Sequence, residues 1–157
     1  MLYFLLKYIH IISSTILFGT GIGSAFYMFM ANRRKDIAGI YFATRHVVIA
    51  DWLFTTPAVV IQLITGVLLV QEVGYRFSET WIVWALVLYF FAGACWIPVV
   101  WMQIKMRDMA KAALENGTVL PARYWKMDQW WIILGSLAFP AITVIFWLMV
   151  AKPDTLF

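Results

Sequence analysis

A few ionisable side chains interrupt long apolar stretches of the sequence, and they carry the candidate chemistry. His10 lies in the first stretch, with Lys7 three residues before it and Ser14 four residues after it. This spacing predicts that the three side chains share one face of a helix. An imidazole can bind a haem iron or carry a proton near neutral pH, and a nearby ammonium can pair with a propionate. A purely structural hydrogen bond from His10 is the alternative, and the residues alone leave both interpretations open.

A second group of charged side chains surrounds the beginnings of the second and fourth apolar stretches. Asp51 lies about one and a half turns inside the second stretch, where a carboxylate must be paired or bind a proton. Arg45 or Lys126 is its expected partner, and Asp128 opens the fourth stretch. We favour an ion pair that joins two helix ends. A proton-entry or anion-binding site is the alternative.

The composition sets the class of protein to which these residues belong. The 157 residues are 64% hydrophobic and 13% charged, and that charge is about half the usual share in soluble domains. So few charges cannot cover a soluble surface, and disordered chains have the opposite composition. The class of protein that fits this composition is an integral membrane protein. The net charge of +4 lies in short loops between apolar stretches, so the lipid bilayer rather than nucleic acid is the expected partner.

Four stretches are long enough to cross a bilayer, which takes about 20 residues of helix. They predict helices over about 2–30, 46–70, 81–102 and 130–151. The third helix is expected to continue outside the membrane to about residue 115, because Asn116-Gly117 is typical of a helix end. We therefore predict one all-α domain over 1–157, an integral membrane four-helix bundle whose first helix is retained and not cleaved as a signal peptide.

The lysines and arginines of the loops predict the orientation. The first and third loops hold four and five of them, whereas the second loop and the tail hold one each. The positive-inside rule places the first and third loops in the cytoplasm and both termini on the other side.

Depth along the helices indicates which polar residues can meet. His10 lies about nine residues from the outer end of its helix, or roughly 13 Å. The same depth on the other helices falls near Gln62, Tyr89 and Thr143. His46 begins the second helix at the opposite side, roughly 20 to 30 Å away along the axis. We therefore expect a polar pocket around His10 and Gln62, and no shared iron between the two histidines of one subunit.

Small residues on the first helix indicate a packing face. Gly19 and Gly23 form a small-xxx-small pattern that lets another backbone approach closely. This face predicts a homo-oligomer or a larger membrane complex. The single cysteine, Cys95, is expected to be a small core residue, since it has no partner for an intrachain disulfide.

Nearly the whole chain resembles one family, on segments spread over all four helices. These segments are Leu6-Lys7-Tyr8-Ile9-His10 with 17–21, Ala50-Asp51-Trp52-Leu53-Phe54-Thr55 with Pro57 and Gly66, 92–96 with Pro98 and 103–108, and 146–153. The family is that of bacterial predicted integral membrane proteins known as domain of unknown function 2269. The resemblance implies a multi-pass protein of the bacterial inner membrane, so the outer side, where the positive-inside rule places both termini, is the periplasm.

A more distant resemblance links the chain to HemJ-type protoporphyrinogen oxidases and to the membrane domain of CopD copper-resistance proteins. The lead from Lys7 to His10, Pro57 and the terminal Lys152-Pro153 are similar to the HemJ-type pattern. That resemblance implies a redox protein that binds haem b, with His10 as axial ligand to the iron and with no assigned reaction. Lys7, Ser14 and Gln62 are then the expected neighbours of the cofactor. A non-catalytic membrane subunit or scaffold, and a small CopD-like transporter, are the alternative hypotheses.

Overall fold

Four long helices make up the computed structural model, which describes residues 1–153. They are α1 (Leu2–Arg34), α2 (Ile37–Val73), α3 (Thr80–Asn116) and α4 (Ala122–Ala151). Each is long and apolar enough to cross a membrane, and the described part of the chain contains no strand. The prediction of an all-α, four-helix integral membrane protein is confirmed. The last four residues of the predicted domain, 154–157, lie outside the described part.

The helices extend further than the apolar stretches do. α2 begins at Ile37, where the Asp36 carboxylate accepts a hydrogen bond of 2.8 Å from the Gly39 amide and caps the helix. α4 begins at Ala122, directly after Pro121. Both starts precede the predicted ones near 46 and 130. The added turns of α4 are polar and those of α2 are mostly apolar up to Arg45, so the charges that marked the predicted starts do not end the helices. The predicted extension of α3 is also observed, and it ends at Gly117 with φ of 63°.

Two buried clusters hold the two ends of the bundle together. We call one end the basic end, because it contains the α1–α2 and α3–α4 connections, and the other the opposite end. At the basic end, the fully buried side chains Met28, Ile40, Met106 and Tyr124 pack together. At the opposite end, Leu148 packs with residues of α2 and α3 in the second cluster.

The helices pack as two pairs at the middle of the bundle. α3 lies along α4, and α1 lies along the second half of α2. α1 reaches α4 through the ring of Phe18, whose centroid lies 4.9 Å from that of Phe139. α2 reaches α3 there through the Tyr89 hydroxyl, which donates a 2.8 Å hydrogen bond to the carbonyl of Val59. A cavity of about 760 Å³ lies between the pairs.

Candidate functional site

The cavity is the candidate site, because side chains from all four helices line it. Most of its wall is apolar, with polar side chains near its two ends. Gln62 and Tyr89 lie toward the opposite end, whereas Asp51, Thr55 and Gln103 lie toward the basic end. Asp51 and Gln62 are eleven positions apart on α2, or about 16 Å along the helix axis. Ligand pockets in proteins generally have volumes of about 300–1,000 Å³ and this kind of lining.

A π-helical turn builds the polar end nearer the basic loops. It spans Asp51–Thr55 in the middle of α2, and such turns are often found at functional sites. Asp51, Thr55 and Gln103 are each only 4% exposed. The Gln103 amide is oriented so that its nitrogen donates a hydrogen bond to Asp51 Oδ2. Its oxygen then accepts a 3.2 Å hydrogen bond from Trp131 Nε1. This arrangement joins α2, α3 and α4 at one level of the bundle.

Asp51 has no cationic partner in the described chain, so the predicted ion pair with Arg45 or Lys126 is wrong. Within residues 1–153, charged side chains approach within 4.0 Å only in the pairs Arg107–Asp108 and Lys111–Glu115. Arg45 and Lys126 are both exposed. Arg45 precedes Asp51 by six residues, or about one and two-thirds turns, and therefore lies on another face of α2.

Asp128, which was grouped with Asp51 from the sequence, belongs to a separate cluster at the basic end. Its Oδ1 accepts a 2.7 Å hydrogen bond from Asn32 Nδ2. The hydroxyl of Tyr124, which is fully buried, donates a 2.7 Å hydrogen bond to Asn32 Oδ1. Asn32 therefore connects α1 to α4 through both halves of its amide. Asn32 was not among the predicted site residues, although a polar residue so near the end of an apolar stretch is a usable signal.

His10 lies in a polar network between α1 and α2. The hydroxyl of Thr65 donates to the carbonyl of Ile61 at 2.6 Å, so its oxygen accepts from His10 Nδ1 at 2.8 Å. Ser13 Oγ donates to Gln62 Oε1, which leaves Gln62 Nε2 to donate to His10 Nε2 at 2.9 Å. Donors and acceptors therefore assign a neutral imidazole with its proton on Nδ1. The expected proximity of Gln62 to His10 is observed, and Ser13 and Thr65 are additional members.

Lys7 and Ser14 do not join this network. Lys7 is exposed, and its Nζ donates to the hydroxyl of Tyr3 at 3.3 Å. Ser14 lines the cavity, and its hydroxyl donates to the carbonyl of Ile11 at 2.7 Å. Lys7 and Ser14 each come one position after a side chain of α1 that faces α2. One position turns a side chain by about 100° around the helix axis. Spacing alone defines a broad face, and only the packing against α2 selects which side chains within it meet His10.

The residues around His10 do not fit a haem iron as they are arranged. Both ring nitrogens are engaged, by Thr65 and by Gln62. A Cβ added at Gly66 would lie 3.3 Å from His10 Cε1, so the ring packs closely against α2. His10 is also not part of the cavity wall. Within residues 1–153, no three His, Cys, Asp or Glu side chains are grouped to hold a metal ion.

Removal of the Gln62 amide is expected to weaken the pairing of α1 with α2. Gln62→Leu leaves His10 Nε2 and Ser13 Oγ without their side-chain partner, so we expect a loss of about 1.5 kcal/mol in the free energy of unfolding. Reversible unfolding in mixed micelles, followed by circular dichroism, measures this loss. Gln71→Leu is the matched control, since Gln71 is exposed near the end of the same helix. Equal stability of the two variants would contradict the assigned network.

The comparisons with known proteins agree with the four-helix membrane architecture. The family model described as "Predicted integral membrane protein (DUF2269)" matches residues 4–153. No curated protein and no solved structure matches the chain. Because the matched segment covers all four helices, the chain belongs to the DUF2269 family of predicted integral membrane proteins.

Proposed function

We propose that this protein binds an apolar small molecule, taken from the bilayer, in the cavity between its helix pairs. The observation that carries the proposal is the cavity itself, about 760 Å³ in volume and lined by all four helices. Its volume and mostly apolar lining lie within the range found for ligand pockets in proteins. Its apolar wall favours a lipid-soluble molecule, and its polar ends provide hydrogen bonds that orient one.

The route of entry is supported by the exposure of the cavity wall. Ile22 and Phe26 on α1 are 50% and 59% exposed, and Phe90 and Ile97 on α3 are 60% and 67% exposed. All four also line the cavity. The cavity therefore extends to the surface that faces the acyl chains, and a molecule dissolved in the bilayer enters sideways without crossing water.

Photolabelling in lipid nanodiscs tests this proposal. An alkyl diazirine is expected to label cavity residues such as Trp96 and Trp131, and unlabelled decanol in excess is expected to suppress that labelling. Gly93→Phe is expected to remove the suppressible labelling, because Gly93 lines the cavity and a Cβ there meets no atom within 4 Å. Val87→Phe is the matched control on the same helix, since Val87 is 50% exposed and lies outside the wall. Labelling that decanol does not suppress would refute the proposal.

Haem b binding has its own test, which is an absorbance scan of the protein purified from haem-replete cells. Because Gln62 occupies His10 Nε2, we expect no Soret band that depends on His10. A band that is present in the wild type and lost in His10→Ala would show that the imidazole leaves Gln62 to bind iron. A CopD-like transport function is tested separately by metal-dependent uptake into membrane vesicles.

A second candidate function is that of a non-catalytic subunit or scaffold that associates through Gly19 and Gly23. The observation that favours it is that a Cβ added at either glycine would meet no atom within 4 Å. Neither glycine is therefore needed for packing within the described chain. Gly19→Leu and Gly23→Leu are expected to abolish a homodimer or copurification with a larger complex. Unchanged association in both variants would exclude this face.

The proposed location is the inner membrane of a bacterium, with both termini in the periplasm. The structure brings most basic side chains of the described chain to the basic end: Arg33, Arg34, Lys35, Arg45, Lys105, Arg107, Lys111, Arg123 and Lys126. The positive-inside rule then places that end in the cytoplasm. Alkaline phosphatase fused at the C-terminus is expected to be active, whereas fusion in the α3–α4 connection is expected to be inactive. The reverse pattern would overturn the orientation.

A further inference from the structure

We propose that Asp51 and Thr55 form a binding site for the cationic head of an amphipathic ligand, an alkylammonium whose chain occupies the cavity. This inference rests on the proposed function and names the chemical class of its ligand. The two side chains lie in the π-helical turn of α2 and line the cavity near the basic end. The ammonium is the counter-ion to the carboxylate and a hydrogen-bond donor to the hydroxyl.

Asp51 has no charge partner in the described chain. The residue is 4% exposed, and no lysine, arginine or histidine of the described chain lies within salt-bridge distance of it. A buried carboxylate in a membrane-spanning helix is costly unless a cation or a proton compensates it. Gln103 donates to one carboxylate oxygen, which orients the group but supplies no charge. A bound cation would supply the charge.

The neighbouring hydroxyl of Thr55 also has no hydrogen-bond partner in the described chain. Thr55 is 4% exposed, and its Oγ1 lies near the Asp51 carboxylate but makes no hydrogen bond of acceptable geometry in the described chain. Buried polar groups in native proteins nearly always have a partner, so an unpaired one in a cavity wall indicates where a ligand atom binds. Thr55 is also a residue of the cavity wall, and a small shift of that wall gives a bound head group access to its covered Oγ1.

The polar atoms around Asp51 determine which type of head group the site accepts. The Gln103 amide is engaged on both sides, by Asp51 and by Trp131. What remains free is oxygen, from the carboxylate and the hydroxyl, and such a set binds a donor with positive charge. The indole of Trp131 also lines the cavity and adds an aromatic surface that favours cations. An anionic head would be repelled by the carboxylate, and a neutral alcohol would leave its charge uncompensated.

Three probes with the same chain test the site: decylammonium, decanol and decanoate. Each competes with the alkyl diazirine for the cavity in nanodiscs of zwitterionic lipid, which do not themselves concentrate cations. We expect decylammonium to bind the wild type at least tenfold more tightly than decanol, and decanoate to bind most weakly. Asp51→Asn is expected to reduce decylammonium to the affinity of decanol. Thr55→Val is expected to weaken decylammonium severalfold and decanol little.

The matched control is Glu72→Gln, because Glu72 is an exposed acidic residue near the end of the same helix. It is expected to keep the full preference for decylammonium. Equal affinity of decylammonium and decanol for the wild type would overturn the site, as would a preference that survives Asp51→Asn. If decanol competes while the ammonium has no advantage, only this inference fails. If no probe competes, the proposed function fails with it. If Asp51→Asn does not fold, the ratio of decylammonium to decanol affinity in the wild type and the effect of Thr55→Val test the site instead.

Discussion

Asn32→Leu is expected to lower the free energy of unfolding by about 3 kcal/mol, more than any other single polar substitution discussed above. Asn32 is 4% exposed and joins α1 to α4 at the basic end. Leucine removes both halves of the amide together, so the Tyr124 hydroxyl and the Asp128 carboxylate each lose a hydrogen bond. Each buried group left without its partner costs about 1–3 kcal/mol, and a charged group costs more.

Two variants make this prediction specific. Tyr124→Phe removes only one of the two hydrogen bonds, so its expected loss is about 1 kcal/mol. Asn116→Leu is the matched control, since Asn116 is exposed and its amide bonds only to the Ala112 carbonyl of its own helix. Reversible unfolding in mixed micelles measures all three. A loss for Asn32→Leu no larger than that for Asn116→Leu would contradict the bridging role of Asn32.

Met28→Ala is expected to cost about 3 kcal/mol for a different reason, which is packing. Met28 is completely buried in the cluster at the basic end, among Ile40, Met106 and Tyr124. Alanine leaves a space between α1, α2 and α3 that the surrounding helices fill only in part, so contacts are lost on every side of it. The cluster also contains parts of α3 and α4 beyond their apolar stretches, so the loss is expected to loosen the helix extensions there.

The same helix provides the control for this prediction. Met30→Ala makes the same chemical change two positions further along, where the side chain is 41% exposed. Lipid or detergent fills the vacated space, so the expected loss is well below 1 kcal/mol. The difference between the two variants isolates the packing of the basic-end cluster. A difference near zero would mean that this cluster is not the core that holds the helix extensions together.

His10 and Gln62 were predicted from the sequence to lie at one depth, and the observed distance of 2.9 Å between His10 Nε2 and Gln62 Nε2 agrees with that prediction. The depth of a residue in the membrane can be predicted because each helical residue adds a constant rise, so position along the chain converts into distance along the helix axis. The direction in which a side chain faces around that axis cannot be predicted in this way. Lys7 and Ser14 were expected beside His10, yet Ser13 occupies that place, because which of two adjacent residues faces α2 depends on how the helices pack.

For Asp51, too, the sequence predicted the importance of the residue but not its contacts. Its position in an apolar stretch marked it as a functional candidate, as the cost of charge in a bilayer requires. Its expected ion pair was wrong, because Arg45 lies on another face of α2 and Lys126 is exposed near the start of α4. The contacts of Asp51 with Gln103, and of Asn32 with Asp128 and Tyr124, join residues far apart in the chain. No local pattern specifies such pairs.

The sequence by itself determined that the protein spans a membrane with four helices. In hydrocarbon every backbone polar group must bond within its own segment, so an apolar stretch of sufficient length has one dominant solution. Only the tertiary structure decided that the helices pack as two pairs with a cavity between them. Lipid chains are as apolar as the helix surfaces, so hydrophobicity does not select neighbours there. Shape, small residues and a few polar contacts such as Asn32 and Gln62 make that selection, and they act only once the helices meet.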